Sequence, residues 1–390
     1  MRVSRADRSR LAEWWFTVDH TLVAAILSLV VAGLVLSLAA SPAVAEKKGY
    51  ATYYFVVRHF LFATAGVAVM LMVSLFDRVT VRRFALALFA VSILALVMVA
   101  FAGVEVNGAR RWLKFAGYSL QPSEFVKPAF AVLMAWLFAQ AQTRPDMPAL
   151  AIAMLTGVTL GALLVVQPDV GQTLLVGAVW GALFFLSGQP IVAAAGLAGV
   201  GALGLGAAYN IFPHVAQRID RFLTPGASEN TQVARAMQSF QEGGFFGRGP
   251  GEGTIKTVLP DAHTDFIFAV VAEEYGVIAC LVLLALFAFI VLRAMAAASR
   301  ESDAATRLAI QALALLFGLQ ALINMAVNVG LLPAKGMTLP FISIGGSSTI
   351  AISITLGLIL ALTRRRADPV RLKKPRFAPR VDFSEQHSTR

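Results

Sequence analysis

The chain has 390 residues, of which 58% are hydrophobic and only 14% charged; a water-soluble domain carries about 25% charged residues, so a soluble globular protein is excluded. The single cysteine, Cys280, rules out an internal disulfide, and no Cys/His cluster has the spacing of a zinc site. The net charge of +11 would suit nucleic acid in a soluble protein, but the basic residues flank apolar runs as they do in membrane-protein loops, which argues against a nucleic-acid partner.

A bilayer core about 30 Å thick needs about 20 apolar residues as helix. Ten such runs follow one another, over 20–40, 59–76, 84–103, 122–141, 149–167, 170–187, 190–211, 264–293, 307–330 and 346–363. The first is preceded by Arg2, Arg5, Arg8 and Arg10 and followed by Ala43-Val44-Ala45, a pattern that resembles a secretory signal. Its apolar core exceeds the roughly 7–15 residues of a signal, so an uncleaved first helix is expected. The fifth and sixth runs are separated only by Gln167-Pro168-Asp169, which leaves open two helices or one broken, re-entrant element. Most Lys and Arg fall in the connections that lie inside if the N-terminus is inside, and this bias places both termini in the cytoplasm. The predicted fold is all-α: a polytopic membrane protein of about 10 transmembrane helices over 20–363. A cytoplasmic segment 1–19 precedes it, a long outer loop 212–263 joins helices seven and eight, and a basic tail 364–390 is too poor in large apolar residues to fold alone.

No glycine-rich phosphate loop with Lys-Ser/Thr occurs, so nucleotide hydrolysis is not indicated, and the chemistry-bearing residues gather on the outer face. Asn107 to Lys114 brings Arg110, Arg111, Trp112 and Lys114 to the headgroup level, either to hold an anionic lipid head or simply to anchor the segment in membrane lipid. Glu124 and Lys127, at i and i+3 of the fourth run, share a helix face and can neutralise each other at the membrane edge, as a functional pair or as a structural staple. In the long outer loop, Gly243 to Gly253 is glycine-dense; its amides could approach a phosphate, or it could be a flexible connector.

Asp265, at the start of the eighth run, would stand at the water–lipid boundary, where desolvation raises a carboxylate's pKa toward the range of a general base; the alternative is a helix N-terminal carboxylate. At 100° per residue, Glu273 lies about 80° around the helix from Asp265 and Glu274 on the opposite side, so the two cannot both share its cavity. Asn324 and Asn328 share a face of the ninth run and read as inter-helix hydrogen-bonding residues. Lys335 is the only cation in the last outer loop, facing either an anionic group over the bundle or solvent.

Together these motifs resemble the SEDS family of polytopic membrane glycosyltransferases. The carriers are Gly108-Ala109-Arg110-Arg111-Trp112, Gln121-Pro122-Ser123-Glu124, Gln167-Pro168-Asp169, His263-Thr264-Asp265-Phe266-Ile267-Phe268 with Glu273-Glu274, and Leu339-Pro340-Phe341-Ile342-Ser343 leading into Gly345-Gly346-Ser347-Ser348. Asp261-Ala262-His263 and Lys335-Gly336 are closer to the cell-division member than to the rod-shape member, whereas Ala334 and Ile344 depart from the usual Thr and Tyr.

The resemblance implies a peptidoglycan glycosyltransferase that polymerises lipid II, with loss of undecaprenyl pyrophosphate and inversion, for septal wall synthesis. A lipid II flippase and a non-catalytic divisome scaffold are the alternatives. Asp265 would be the catalytic base, and Arg110, Arg111, Lys335 or a divalent cation (Mg or Mn) would stabilise the departing pyrophosphate. Trp112, Glu124, Lys127, His263, Thr264, Ser347 and Ser348 complete the expected substrate-binding set. The implied partners are a cognate class B penicillin-binding protein and other divisome proteins, in the bacterial inner membrane at the septum.

Overall fold

In the computed structural model, the described residues are 9–106, 109–115, 118–211, 216–217, 219–220, 232–333 and 336–364. The chain forms a short helix α1 (Arg10–Thr17), then α2 (His20–Lys47), α3 (Tyr54–Ser74) and α4 (Arg78–Ala102). Three short strands follow, β1 (Val104–Val106), β2 (Ala109–Phe115) and β3 (Tyr118–Leu120). Next come α5 (Pro122–Thr143), α6 (Ala149–Val166), α7 (Val170–Leu186), α8 (Ile191–Ile211), α9 (Gln232–Gly243), α10 (Ile255–Val258), α11 (Ile267–Ala298), α12 (Ala304–Asn328) and α13 (Gly346–Leu362).

The apolar runs become α2 to α8 and α11 to α13. Eight of these helices are long and apolar enough to cross a membrane, and α7 and α13 are shorter apolar helices. Gln167-Pro168-Asp169 separates α6 from α7, and the Asp169 carboxylate accepts the Gln172 N–H at 3.5 Å, so this stretch joins two helices. The helices are hydrophobic nearly all round, as lipid-facing and buried spans require.

One element was absent from the all-α expectation. Residues 104–120 hold a three-stranded antiparallel sheet in the order β1-β2-β3, with Glu105 opposite Arg110 and Leu113 opposite Leu120. Its outer strands have three residues each, too few to set an alternating pattern apart from a polar cluster.

The two ends of the bundle, named inner and outer after the Lys and Arg bias of the connections, differ in chemistry. At the inner end, α4 and α12 start on the carboxylates of Asp77 and Asp303, which accept the N–H groups of Thr80 and Thr306 at 2.9 Å. Arg78 pairs with Glu301 at 2.8 Å, Arg293 with Asp19 at 2.8 Å and Arg364 with Glu13 at 3.1 Å. Trp14 of α1 donates to Ser74 Oγ at 2.8 Å, while Leu11, Trp15 and Phe16 stay exposed. At the outer end, β2 packs against α4 and α5, residues 254–256 bond to Glu273 of α11, and the 336–345 loop bonds to the turn before α11.

Candidate active site

The outer-end site is assembled from three segments. The first runs from Asp261 to Phe266, a turn that precedes α11. Sequence reasoning put Asp265 on the helix itself, whereas the helix begins at Ile267, its N-cap is Phe266, and no side chain caps it. Continuous apolarity from Phe266 onward hides the boundary. Asp265 and Thr264 are half-buried, and His263 is buried.

The turn is held from outside itself. The Ile344 N–H donates to the His263 carbonyl at 3.1 Å, and Ser343 Oγ donates to the Thr264 carbonyl at 2.5 Å. The Asp265 carbonyl accepts from the carboxamides of Asn324 and Asn328, both at 2.9 Å. Asn328 makes the expected inter-helix bond, its Oδ1 accepting the Ala269 N–H of α11 at 3.1 Å, and the two asparagines also reach a turn and a loop, Asn324 Nδ2 donating to the Met337 carbonyl at 2.6 Å.

The second segment is the 336–345 loop. A Cβ placed on Gly336 would lie 3.6 Å from Asp265 Oδ2, so this backbone runs beside the carboxylate. Lys335, the neighbour of Gly336, lies outside the described residues, as do Asn107 and Gly108. Two non-glycine residues with left-handed backbone flank the candidate base, Asp261 (φ 55°) and Phe341 (φ 59°); such strain persists where surrounding contacts over-determine it and gathers at functional sites. The Phe341 carbonyl is 3.0 Å from His59 Nε2.

The third segment is a polar path through the bundle. Lys127 Nζ donates to Glu124 Oε2 at 3.0 Å and to Gln320 Oε1 at 2.9 Å; Gln172 Nε2 donates to Glu124 Oε1 at 2.6 Å. Gln320 Nε2 then donates to the Thr338 carbonyl at 3.2 Å, and the hydroxyls of Thr338 and Ser348 lie 2.6 Å apart. Glu124 and Lys127 therefore form the ion pair their spacing suggested and also connect to the loop beside Asp265. Gln320 and Gln172 were not singled out from sequence, because their partners lie far away along the chain. Gln320, Asn324 and Asn328 fall at i, i+4 and i+8, and that polar stripe on an apolar helix was a readable signal.

The remaining expected residues are more dispersed. Ser347 is half-buried and Ser348 buried at the start of α13. Arg110 lies on β2 and is exposed, with Glu105 at 3.5 Å. Arg111 is largely buried, 3.6 Å from Asp169 and donating to the Gln167 and Pro168 carbonyls, so it ties the sheet to the α6–α7 turn. Trp112 is half-buried beside it on β2, opposite Val104. His263 packs its ring 4.6 Å from Phe55; burial, assisted by Lys48, pushes its pKa down to about 4, and among the described residues Nδ1 has no partner. The imidazole is therefore neutral near pH 7.

The glycine-dense loop is tied to α11 through its backbone amides. Within it the N–H groups of Gly244, Gly247, Arg248, Gly249 and Glu252 go to backbone carbonyls, and just beyond it Glu273 accepts the N–H groups of Thr254, Ile255 and Lys256 at 2.5, 2.6 and 3.0 Å. Glu274 accepts the Gly251 N–H at 3.0 Å and pairs with Lys256 Nζ. The backbone of α11 breaks at Gly276 (φ 80°). A Cβ there would sit 2.2 Å from the Phe245 carbonyl, and one on Gly247 would sit 2.2 Å from the Glu274 carbonyl, so glycine is required on both sides of this contact. Both glutamates thus serve the 251–256 segment. The angular argument from Asp265 fails at its premise, since Asp265 is not on the helix.

Among the described residues no three His, Cys, Asp or Glu side chains converge, a donor set that does not fit a protein-built Mg or Mn cage.

The FtsW/RodA/SpoVE family model, described as cell cycle protein, matches residues 20–368. A probable peptidoglycan glycosyltransferase FtsW of Caulobacter vibrioides is 46% identical over 93% of this chain and 93% of its own. Another bearing that name, from Trichlorobacter lovleyi, is 35% identical over 91% and 94%. Among solved structures, one of a peptidoglycan synthase complex, concerned with coordination of polymerization and crosslinking, superposes with a TM-score of 0.75 at 27% identity, covering 89% of this chain and 97% of that one. The rod shape determining protein RodA of Thermus thermophilus superposes with a TM-score of 0.67 at 27% identity, covering 90% and 99%. The chain belongs to the FtsW/RodA/SpoVE family of cell cycle proteins.

Proposed function

We propose that the chain is a peptidoglycan glycosyltransferase that polymerises lipid II at the outer leaflet for septal wall synthesis, with Asp265 as the general base. The activity follows from the names of its relatives, and the multi-pass helical fold suits a lipid-linked substrate. The observation that supports the base assignment is the setting of Asp265: a half-buried carboxylate on a turn whose successive carbonyls are held by α12 and the 336–345 loop. A positioned carboxylate of this kind can take a proton in the transition state.

In this reading, Asp265 takes the proton of the acceptor's N-acetylglucosamine 4-hydroxyl as that oxygen attacks C1 of the donor's N-acetylmuramic acid. The bond from C1 to the pyrophosphate oxygen breaks, and undecaprenyl pyrophosphate leaves with the electron pair, so a single displacement inverts C1. The leaving group carries the driving force, which makes nucleotide unnecessary outside the cell. Arg110, exposed on β2, and Lys335, next to Gly336, are the cations assigned to the developing charge. Arg111 acts by fixing the sheet on the α6–α7 turn. Thr264, Ser347, Ser348, Trp112 and the Glu124–Lys127 pair shape the substrate cavity, while His263 supports the turn from beneath.

A class B penicillin-binding protein, which would cross-link the new strand, and other divisome proteins are the partners this function calls for. The similarity to a synthase complex concerned with polymerization and crosslinking supports a partner of that kind. The site of action is the inner membrane at the septum. The test is polymerisation of lipid II by the purified chain with its partner transpeptidase: long glycan strands are expected from the native chain and none from Asp265→Asn. Strands made by Asp265→Asn at the native rate would end the base assignment. Transfer of lipid II between leaflets without product would identify a flippase.

A further inference from the structure

We propose that Asn328, backed by Asn324, is a positioning residue that keeps Asp265 outside α11 by inserting its carboxamide into the first turn of the helix; this rests on Asp265 being the base. In an unbroken helix the Ala269 N–H would donate to the carbonyl four residues earlier, which is that of Asp265. Instead, the Ala269 N–H donates to Asn328 Oδ1 at 3.1 Å, and Asn328 Nδ2 donates to the Asp265 carbonyl at 2.9 Å. One side-chain amide stands between the two backbone groups and satisfies both, as a peptide unit would. The Ala269 N–H also contacts the Phe266 carbonyl at 3.1 Å, so the helix is closed one residue later by a tighter turn.

The bridge is rigid for three reasons. Asn328 is fully buried at the last residue of α12. Its Nδ2 donates a further bond to the Asn324 carbonyl at 2.9 Å. Asn324 adds its own bond to the Asp265 carbonyl and one to Met337, joining the turn to the loop that passes beside Asp265 Oδ2. The groups that the two carboxamides hold on the turn, on α11 and on the loop are backbone carbonyls and an amide, so what they fix is the direction in which the Asp265 side chain leaves the backbone.

Without the bridge, the Ala269 N–H and the Asp265 carbonyl can satisfy each other. The helix then extends by one ladder bond and winds Asp265 around its axis, about 100° per residue. The backbone loses no net pairing, so folding tolerates the change while the carboxylate moves away from the acceptor hydroxyl. A displacement of about 1 Å in a catalytic group costs about 100-fold in rate.

The experiment is steady-state polymerisation of lipid II by the full-length chain with its transpeptidase partner, alongside thermal unfolding of each variant. Asn328→Leu is expected to lose about 100-fold in kcat with KM for lipid II and Tm held, and to cause no further loss when combined with Asp265→Asn. Asn324→Leu, which leaves the bridge in place, should lose less than about tenfold. Asn328→Gln retains the polar group but displaces it by one methylene; should Asn328→Leu fail to insert, a kcat loss in this variant at constant KM decides in favour. Unchanged kcat in Asn328→Leu or Asn328→Gln overturns the proposal, as does a loss that tracks KM or the fraction of folded protein. Native activity in Asp265→Asn alone would instead overturn the base assignment.

Discussion

Asp265 and the Glu273–Glu274 pair lie on one continuous stretch of chain, yet their surroundings oppose each other. The glutamates are fully buried and collect three backbone N–H groups and one more, with Lys256, from the 251–256 segment. Asp265 is half-buried, and the bonds from Asn324 and Asn328 go to its carbonyl. At one station buried carboxylates are bonded to the 251–256 segment; at the other, two buried carboxamides hold the backbone carbonyl of a half-buried acid. Acidity alone therefore does not tell the two stations apart; burial and the groups that hold each one do.

The largest effect is expected where the buried charge is removed. Glu273→Ala orphans the three amides of residues 254–256, at about 1–3 kcal/mol each, so thermal or denaturant unfolding should show a loss of at least about 3 kcal/mol. A loss under about 1 kcal/mol would mean that the loop does not depend on this carboxylate.

A second test takes a buried pair of the other kind, Glu124 and Lys127. Glu124→Ala removes the carboxylate from the buried Lys127 ammonium, which keeps its bond to Gln320 Oε1, and should cost about 3–5 kcal/mol. The Glu124→Ala/Lys127→Ala double change should cost less than the single one. Additive losses in the unfolding cycle would show the two groups to be independent.

The third uses pH. The folded-state pKa of His263 is held near 4 by burial, below the ordinary 6.5. Between these values the unfolded chain takes up a proton that the folded chain refuses, so stability falls as pH drops from 6.5 toward 4. His263→Gln should flatten this part of the Tm-against-pH curve, and an unchanged slope would reassign the effect. The smallest effect belongs to the inner end: Arg78→Ala removes a pair with Glu301 whose arginine is 37% exposed and should cost under about 1 kcal/mol.

The sequence made the helices legible because a bilayer demands long apolar runs, and all ten runs correspond to helices. It also made the Glu124–Lys127 pair legible, since its spacing is local. What it concealed depends on distant partners or on boundaries inside apolar stretches. Arg110 reads as a headgroup-level cation until β1 supplies Glu105 across a strand pair. Asp265 reads as helical because nothing local reveals that Asn328, on another helix, interrupts the first turn. Glu273 reads as an acid in a helix because its amide donors come from residues preceding the turn.

The most direct test sets Asp265→Asn beside Glu273→Ala and reads glycan-strand synthesis and Tm from the same preparations. The account predicts that Asp265→Asn loses about 10²–10⁴-fold in polymerisation at unchanged Tm, whereas Glu273→Ala loses Tm and retains its rate per folded molecule. Native-rate strands from Asp265→Asn, or loss of activity only in proportion to loss of folded protein, would contradict it.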